Sequence, residues 1–192
     1  GGSPAIILRD TQVLLLASTR VLPAVFPPSK LAPRARPWGT SVQVPSLRDE
    51  RQGAFGDFGS LVPVAQGLAQ AGADALAISP VHALFPADAS RFSPYAPSSR
   101  LFLNILFGDP ALVGEPVAPA EQSELIDWAT AIPRRMTELR RAYENCGDAV
   151  RARVAAWRAE QGEELERHAI FDTLFARFFP DGASGWQAWP AE

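Results

Sequence analysis

Residues 80–104 hold the side chains best suited to chemistry: His82, Ser93, Tyr95, Ser98, Ser99 and Asn104. They combine neutral hydrogen-bonding groups with an aromatic ring. A neutral polar ligand such as a sugar needs that mixture. Its hydroxyls donate to and accept from Ser, His and Asn, while its ring face packs on an aromatic. The competing reading is a rigid, proline-punctuated loop whose polar groups satisfy its own backbone. Retaining sugar transfer also needs a carboxylate nucleophile and an acid/base about 5 Å apart. Asp57, Asp74, Asp88 and Asp109 are the carboxylates at hand. Asp74 precedes a strand and Asp109 precedes a proline turn, so both read as structural. No residue is assigned a catalytic role.

Other constellations are weaker. Gly53, Gly56 and Gly59 form G-x-x-G-x-x-G, without the Lys-Ser/Thr pair or the spacing of a phosphate cradle. Asp57 in their midst would repel a phosphate, so a tight turn with close helix–strand packing is the better reading. His82 and His168 are far apart and share one cysteine, so no metal-ligand spacing exists. His168 reads as structural and Cys146 as a free thiol. Arg134, Arg135, Arg140, Arg141, Arg151, Arg153 and Arg158 interleave with Glu138, Glu144, Asp148 and Glu160. That pattern reads as a solvated helix face, not a nucleic-acid surface.

The elements that position the 80–104 loop follow from periodicity. Residues 38–44 alternate apolar and polar and read as a strand. A helix follows the glycines, with Ser60 as its expected cap, Pro63 in its first turn and Gly72 at its close. Ala75-Leu76-Ala77-Ile78 reads as a strand buried on both faces. Together they make a βαβ unit, and the 80–104 loop leaves the strand end where α/β folds build sites. Two short apolar runs within 5–18 suggest a hairpin or the tail of a β domain. Five prolines in 23–37 mark a linker. Residues 101–107 read as a short extended segment and 110–119 as a loop. Residues 133–179 carry a helical pattern with breaks near Asn145-Cys146-Gly147 and Gly162. The division expected is 1–37, an N-terminal extension and linker; 38–109, a βαβ unit with a rim loop; and 110–192, a helical insertion.

The 192 residues, 47% hydrophobic and 20% charged, can bury a core and exclude a disordered chain. A net charge of -3 argues against nucleic acid and anionic membranes as partners. One cysteine rules out an internal disulfide and fits a reducing compartment. No apolar run approaches the roughly 20 residues of a bilayer span, so the expectation is cytoplasmic. The chain starts at Gly1, not at a methionine, which suggests a piece of something longer. Two parallel strands alone would leave an open edge and fold marginally.

Four blocks resemble the amylomaltases, bacterial 4-α-glucanotransferases of glycoside hydrolase family 77. The first is Trp38-Gly39, Val42-Gln43 and Ser46-Leu47-Arg48. The second is Gly56-Asp57-Phe58-Gly59, and the third Pro80 with His82-Ala83-Leu84-Phe85-Pro86-Ala87-Asp88. The fourth is Ser93-Pro94-Tyr95, Pro97-Ser98-Ser99-Arg100 and Phe102-Leu103-Asn104. Leu125-Ile126-Asp127-Trp128, Ala169-Ile170-Phe171, Trp186 and Trp189-Pro190 resemble later parts of the family pattern. The chain departs from it at Val44-Pro45, Ala54-Phe55, Ser79 and Phe107-Gly108.

The resemblance implies the N-terminal part of a (β/α)8 TIM barrel that is incomplete in this chain. It implies transfer of α-1,4-glucan segments between malto-oligosaccharides by a retaining mechanism, with no cofactor and no metal. His82, Ser93, Tyr95, Ser98 and Asn104 become expected substrate-binding residues. The family's nucleophile Asp, acid/base Glu and stabilising Asp are expected on later strands, beyond residue 192, so this chain alone should be inactive. The alternative is a non-catalytic carbohydrate-binding or interaction module that kept the sugar rim.

Overall fold

A computed structural model describes residues 38–117, 119, 120, 123–180 and 185–190, with the backbone alone of 5–9, 12–15 and 181. The linker expected at 23–37 lies outside the described residues. The architecture is mixed α/β. Strands β1 (Ala5–Arg9) and β2 (Gln12–Leu15) form an antiparallel hairpin. Strands β3 (Gly39–Val42) and β4 (Ala75–Ile78) run parallel, with Gly39 opposite Ala75 and Val42 opposite Ile78. Helix α1 (Phe58–Gln70) connects them, so the βαβ unit forms as its periodicity indicated.

The sheet order is β2-β1-β4-β3. β1 pairs antiparallel with the edge of β4 that two strands alone would leave open. An unpaired row of N–H and C=O groups is a template for such pairing. β4 is not buried on both faces: Leu76 and Ile78 are buried, whereas Ala77 between them is exposed. Side chains alternate across a strand, and the core covers only one side of this one.

The cap of α1 also differs from expectation. Asp57 is the N-cap, accepting from the Ser60 N–H at 2.9 Å, and Ser60 is the third helical residue of a capping box. The carboxylate outcompetes the hydroxyl because it sits one step before the helix and accepts in full charge. Gly56, next to it, lets two segments touch: a Cβ there would lie 2.3 Å from the Val44 carbonyl oxygen. The tight packing expected of the glycine loop is present.

The 80–104 stretch is not all loop. β5 (His82–Ala83) and β6 (Ser99–Leu103) form a small antiparallel ribbon with a bulge between His82 and Ala83. Residues 110–113 form a 3-10 turn capped by Asp109. Helices α2 (Trp128–Asn145) and α3 (Asp148–Phe178) follow, broken where Cys146-Gly147 and Gly162 indicated. Helix α2 begins earlier than position 133 because Asp127 caps it, accepting from the Ala129 and Thr130 N–H groups.

The core unites the strands with α1 and α2. Val44, Phe55, Leu61, Ala65, Leu76, Ile78, Leu106, Phe107, Ala131 and Ile132 are all buried in one cluster. The solvated-face reading holds for Arg140, Arg141, Arg151, Arg153 and Arg158, which are exposed, but fails at two positions of α2. Arg135 is 2% exposed and Glu138 is also buried. Arg135 Nη1 pairs with Asp57 Oδ2 at 2.9 Å and donates to the Gly108 carbonyl at 2.8 Å. Arg51 joins the same cluster, reaching Asp57 and Asp109 at 2.8 Å each and Asp49 at 2.5 Å. Helical spacing cannot reveal partners 78 positions away. The extra carboxylate makes burial of Arg135 tolerable, since a buried charge persists only when paired and hydrogen-bonded.

Candidate functional site

The ribbon carries the rim. Ser79 continues β4, its N–H donating to the Val42 carbonyl at 3.1 Å. Three residues on, His82 enters β5 opposite Leu103. It is half-buried, and burial pushes its imidazole below the ordinary pKa, with the Arg100 cation adding in the same direction. The ring is therefore neutral at pH 7, one nitrogen donating and the other accepting, as a polyol contact requires.

Ser98 and Asn104 brace the ribbon. The Ser98 hydroxyl donates to the Leu84 carbonyl at 2.6 Å, and its N–H donates to the Ala83 carbonyl at 2.8 Å. The Asn104 N–H donates to the Val81 carbonyl at 2.8 Å, while its Oδ1 accepts from the Leu106 N–H at 3.1 Å. Both residues thus work first on the backbone. Ser93 and Tyr95 lie on the turn between the strands: the Ser93 Oγ accepts from the Tyr95 N–H at 3.4 Å, and Tyr95 is 73% exposed. Polar capacity remains beneath them. Asn104 Nδ2 and Ser79 Oγ are buried without a protein partner. Asn104 also lines a cavity of about 20 Å³ walled by Phe85, Phe92, Phe107 and Trp128, the space of one water.

A roomier cleft of about 510 Å³ opens between residues 48–54 and the start of α2. Arg48, Ser123, Ile126, Asp127, Thr130 and Arg134 line it. That volume lies in the range of small-molecule sites. Sequence reasoning did not pick out this cleft, because it joins a loop to a helix start some 80 positions away and carries no motif of its own. The hints were Arg48 in the first block and the Leu125-Ile126-Asp127-Trp128 block, noted there as resembling a later part of the family pattern.

Beneath the cleft lies the ionic cluster. Burial pushes the Asp57 carboxyl up, but hydrogen bonds from Arg135, Arg51 and the Ser60 N–H more than offset this and hold it below its ordinary range. Asp49 is lowered by its hydrogen bond to Arg51 against the opposing effect of burial, with Ser60 helping. These carboxylates are saturated by cations and caps, so they are not poised for acid/base work. Asp74 accepts from the Trp38 N–H at 3.0 Å and is structural as expected. Asp109 caps the 110–113 turn through the Ala111 N–H at 2.9 Å. Among the described residues, no group of three or more His, Cys, Asp or Glu could hold a metal ion. No helix among them is long and apolar enough to cross a membrane.

Residues 42–192 match the sequence profile of the family described as 4-alpha-glucanotransferase. The chain belongs to that family. A 4-alpha-glucanotransferase of Haemophilus influenzae is 28% identical over 185 residues, covering 81% of this chain and 26% of that protein. The one from Mycobacterium tuberculosis is 31% identical over 187 residues, covering 85% of this chain and 25% of its own length. The chain thus spans about a quarter of the 4-alpha-glucanotransferases it matches. The four blocks that carry the resemblance are the parts that build β3 and the turn after it, the capped start of α1, and the β5–β6 ribbon with its turn.

Proposed function

We propose that this chain is the rim-bearing portion of a cytoplasmic 4-α-glucanotransferase that moves α-1,4-glucan segments between malto-oligosaccharides with retention. Its βαβ unit would be the first part of a (β/α)8 barrel. The observation that carries the reading is the family match over residues 42–192, which includes both the ribbon and the cleft. Tyr95 offers an exposed ring face and His82 a neutral imidazole, while the buried Asn104 braces the ribbon through the Val81 carbonyl. That set suits a neutral polyhydroxyl ligand. Asp49, Asp57, Asp74 and Asp109 are taken up by arginines and backbone N–H groups, which supports the expectation that the reacting acids lie elsewhere in a longer protein. The isolated chain is then a glucan-binding rim without turnover.

Two assays test this. Incubation of the purified chain with maltotriose is expected to give no glucose or longer oligosaccharide; measurable disproportionation would overturn the inactivity. Isothermal titration with maltoheptaose is expected to show saturable binding that Tyr95→Ala abolishes. Retained binding in that variant would remove Tyr95 from the site.

A further inference from the structure

Helix α3 consists of two unlike halves. In the second half, Phe175 is buried and packs on Phe85 at 5.0 Å between ring centroids, while His168 stacks on Phe102 at 4.7 Å. This half is anchored to the ribbon. In the first half, residues 151–164 are all exposed. That arm hangs from the end of α2, where the Arg151 Nε donates to the Cys146 carbonyl at 3.2 Å.

Gly162 separates the halves, with φ 64° and ψ -148°. That region of backbone space is essentially open to glycine alone. A Cβ at Gly162 would meet no atom within 4 Å, so no neighbour imposes the break. One contact spans it: Arg158 Nε and Nη2 donate to Glu166 Oε1 and Oε2 at 2.5 and 2.9 Å. In an unbroken helix, residues eight apart stand about 12 Å apart along the axis. That is twice the spacing at which helical ion pairs meet. The Arg158–Glu166 pair therefore belongs to the bent form.

We propose that Gly162 is a hinge and that the Arg158–Glu166 pair is the releasable strap holding the 148–161 arm in its bent position. The pair is solvent-exposed, and such pairs yield to salt. The arm has no packed core of its own to resist the swing, whereas the second half stays with the ribbon. This inference stands independently of the glucan reading.

The test uses the full chain carrying Cys146→Ala, with spin labels at Arg153→Cys and Thr173→Cys, and measures the distance between them by pulsed electron resonance. A straight helix puts positions twenty apart at about 30 Å. At low salt the expected distribution is narrow and clearly shorter. Salt of about 1 M, where the screening length falls to about 3 Å, broadens it, as does Arg158→Ala. The charge swap Arg158→Glu with Glu166→Arg restores the narrow peak. Gly162→Ala disfavours the left-handed break and moves the distance to about 30 Å. A distance of about 30 Å in the starting protein, or a distribution unmoved by both salt and Arg158→Ala, would overturn the proposal. The salt series needs no further variant, so misfolding of a mutant does not rescue the idea.

Discussion

Asp57→Asn removes a charge while leaving almost every atom in place. Asparagine caps helices as well as aspartate does, so the bond from the Ser60 N–H survives. What disappears is one of the two anions facing Arg135, a side chain only 3% exposed; Glu138 Oε2 stays 3.3 Å from its Nε. Removing one partner of a buried ion pair costs about 3–5 kcal/mol, because the other charge is left uncompensated. Glu138 still faces the Arg135 cation and the Gly108 carbonyl still accepts from it, which places the expectation at the lower end of that range. For a chain of this length each kcal/mol lowers Tm by about 2–4 °C, so a drop of about 6–15 °C is expected by circular dichroism. The double variant Asp57→Asn with Arg135→Met should recover part of the loss, since the buried cation that lost its Asp57 partner is gone and Glu138 keeps Arg134. The pH dependence has a definite sign. Asp57 titrates below its unfolded value, which is about 3.9. Its contribution is complete above that value and drains away as pH falls toward the folded pKa. The gap between the native chain and Asp57→Asn must therefore hold steady from pH 7 down to about 4 and narrow as pH falls below that. A single-variant loss under about 1 kcal/mol, set against the range for buried pairs, or a double variant no better than the single, would refute the reasoning.

Two further outcomes follow from packing. Gly56→Ala would press a methyl group against the Val44 carbonyl oxygen, 2.3 Å away, and backbone cannot move aside as a side chain can. A loss of about 1–3 kcal/mol in urea denaturation is expected; an unchanged midpoint would mean that the 44–56 contact is loose. Phe175→Ala would empty the ring cluster of Phe85, Phe171 and Phe179 at a cost of about 3–5 kcal/mol. Hydrogen exchange should then rise in residues 163–178 before it rises in α1, and equal rises would place this cluster in the main core.

What the sequence disclosed was whatever is local. Leu61, Ala65 and Leu68 announce α1 by their spacing, and Gly162 announces a break because no other residue so readily takes its backbone angles. The fourth block of motif residues falls on β6 and the turn before it. Non-local pairings stayed hidden. Arg135 sits among arginines that do face water, and nothing in its neighbours distinguishes the one that finds Asp57. The β5–β6 ribbon escaped notice because its prolines and serines look like loop, although Ser98 spends its hydroxyl on holding two strands together. The cleft was invisible for the same reason, being assembled from a loop and a helix start far apart in the chain.

The pairing of Asp57 with Arg135 has a consequence for synthesis on the ribosome. Asp57 is made 78 residues before the cation that most fully buries with it. At about 5–20 residues per second, that interval lasts roughly 4–16 s. Throughout it, α1 and its sheet can form while their carboxylate has Arg51 and the Ser60 cap but not its buried partner, and the face that Ala131 and Ile132 will cover stays open. The nascent α/β unit is therefore a binding target for chaperones until α2 emerges and closes it.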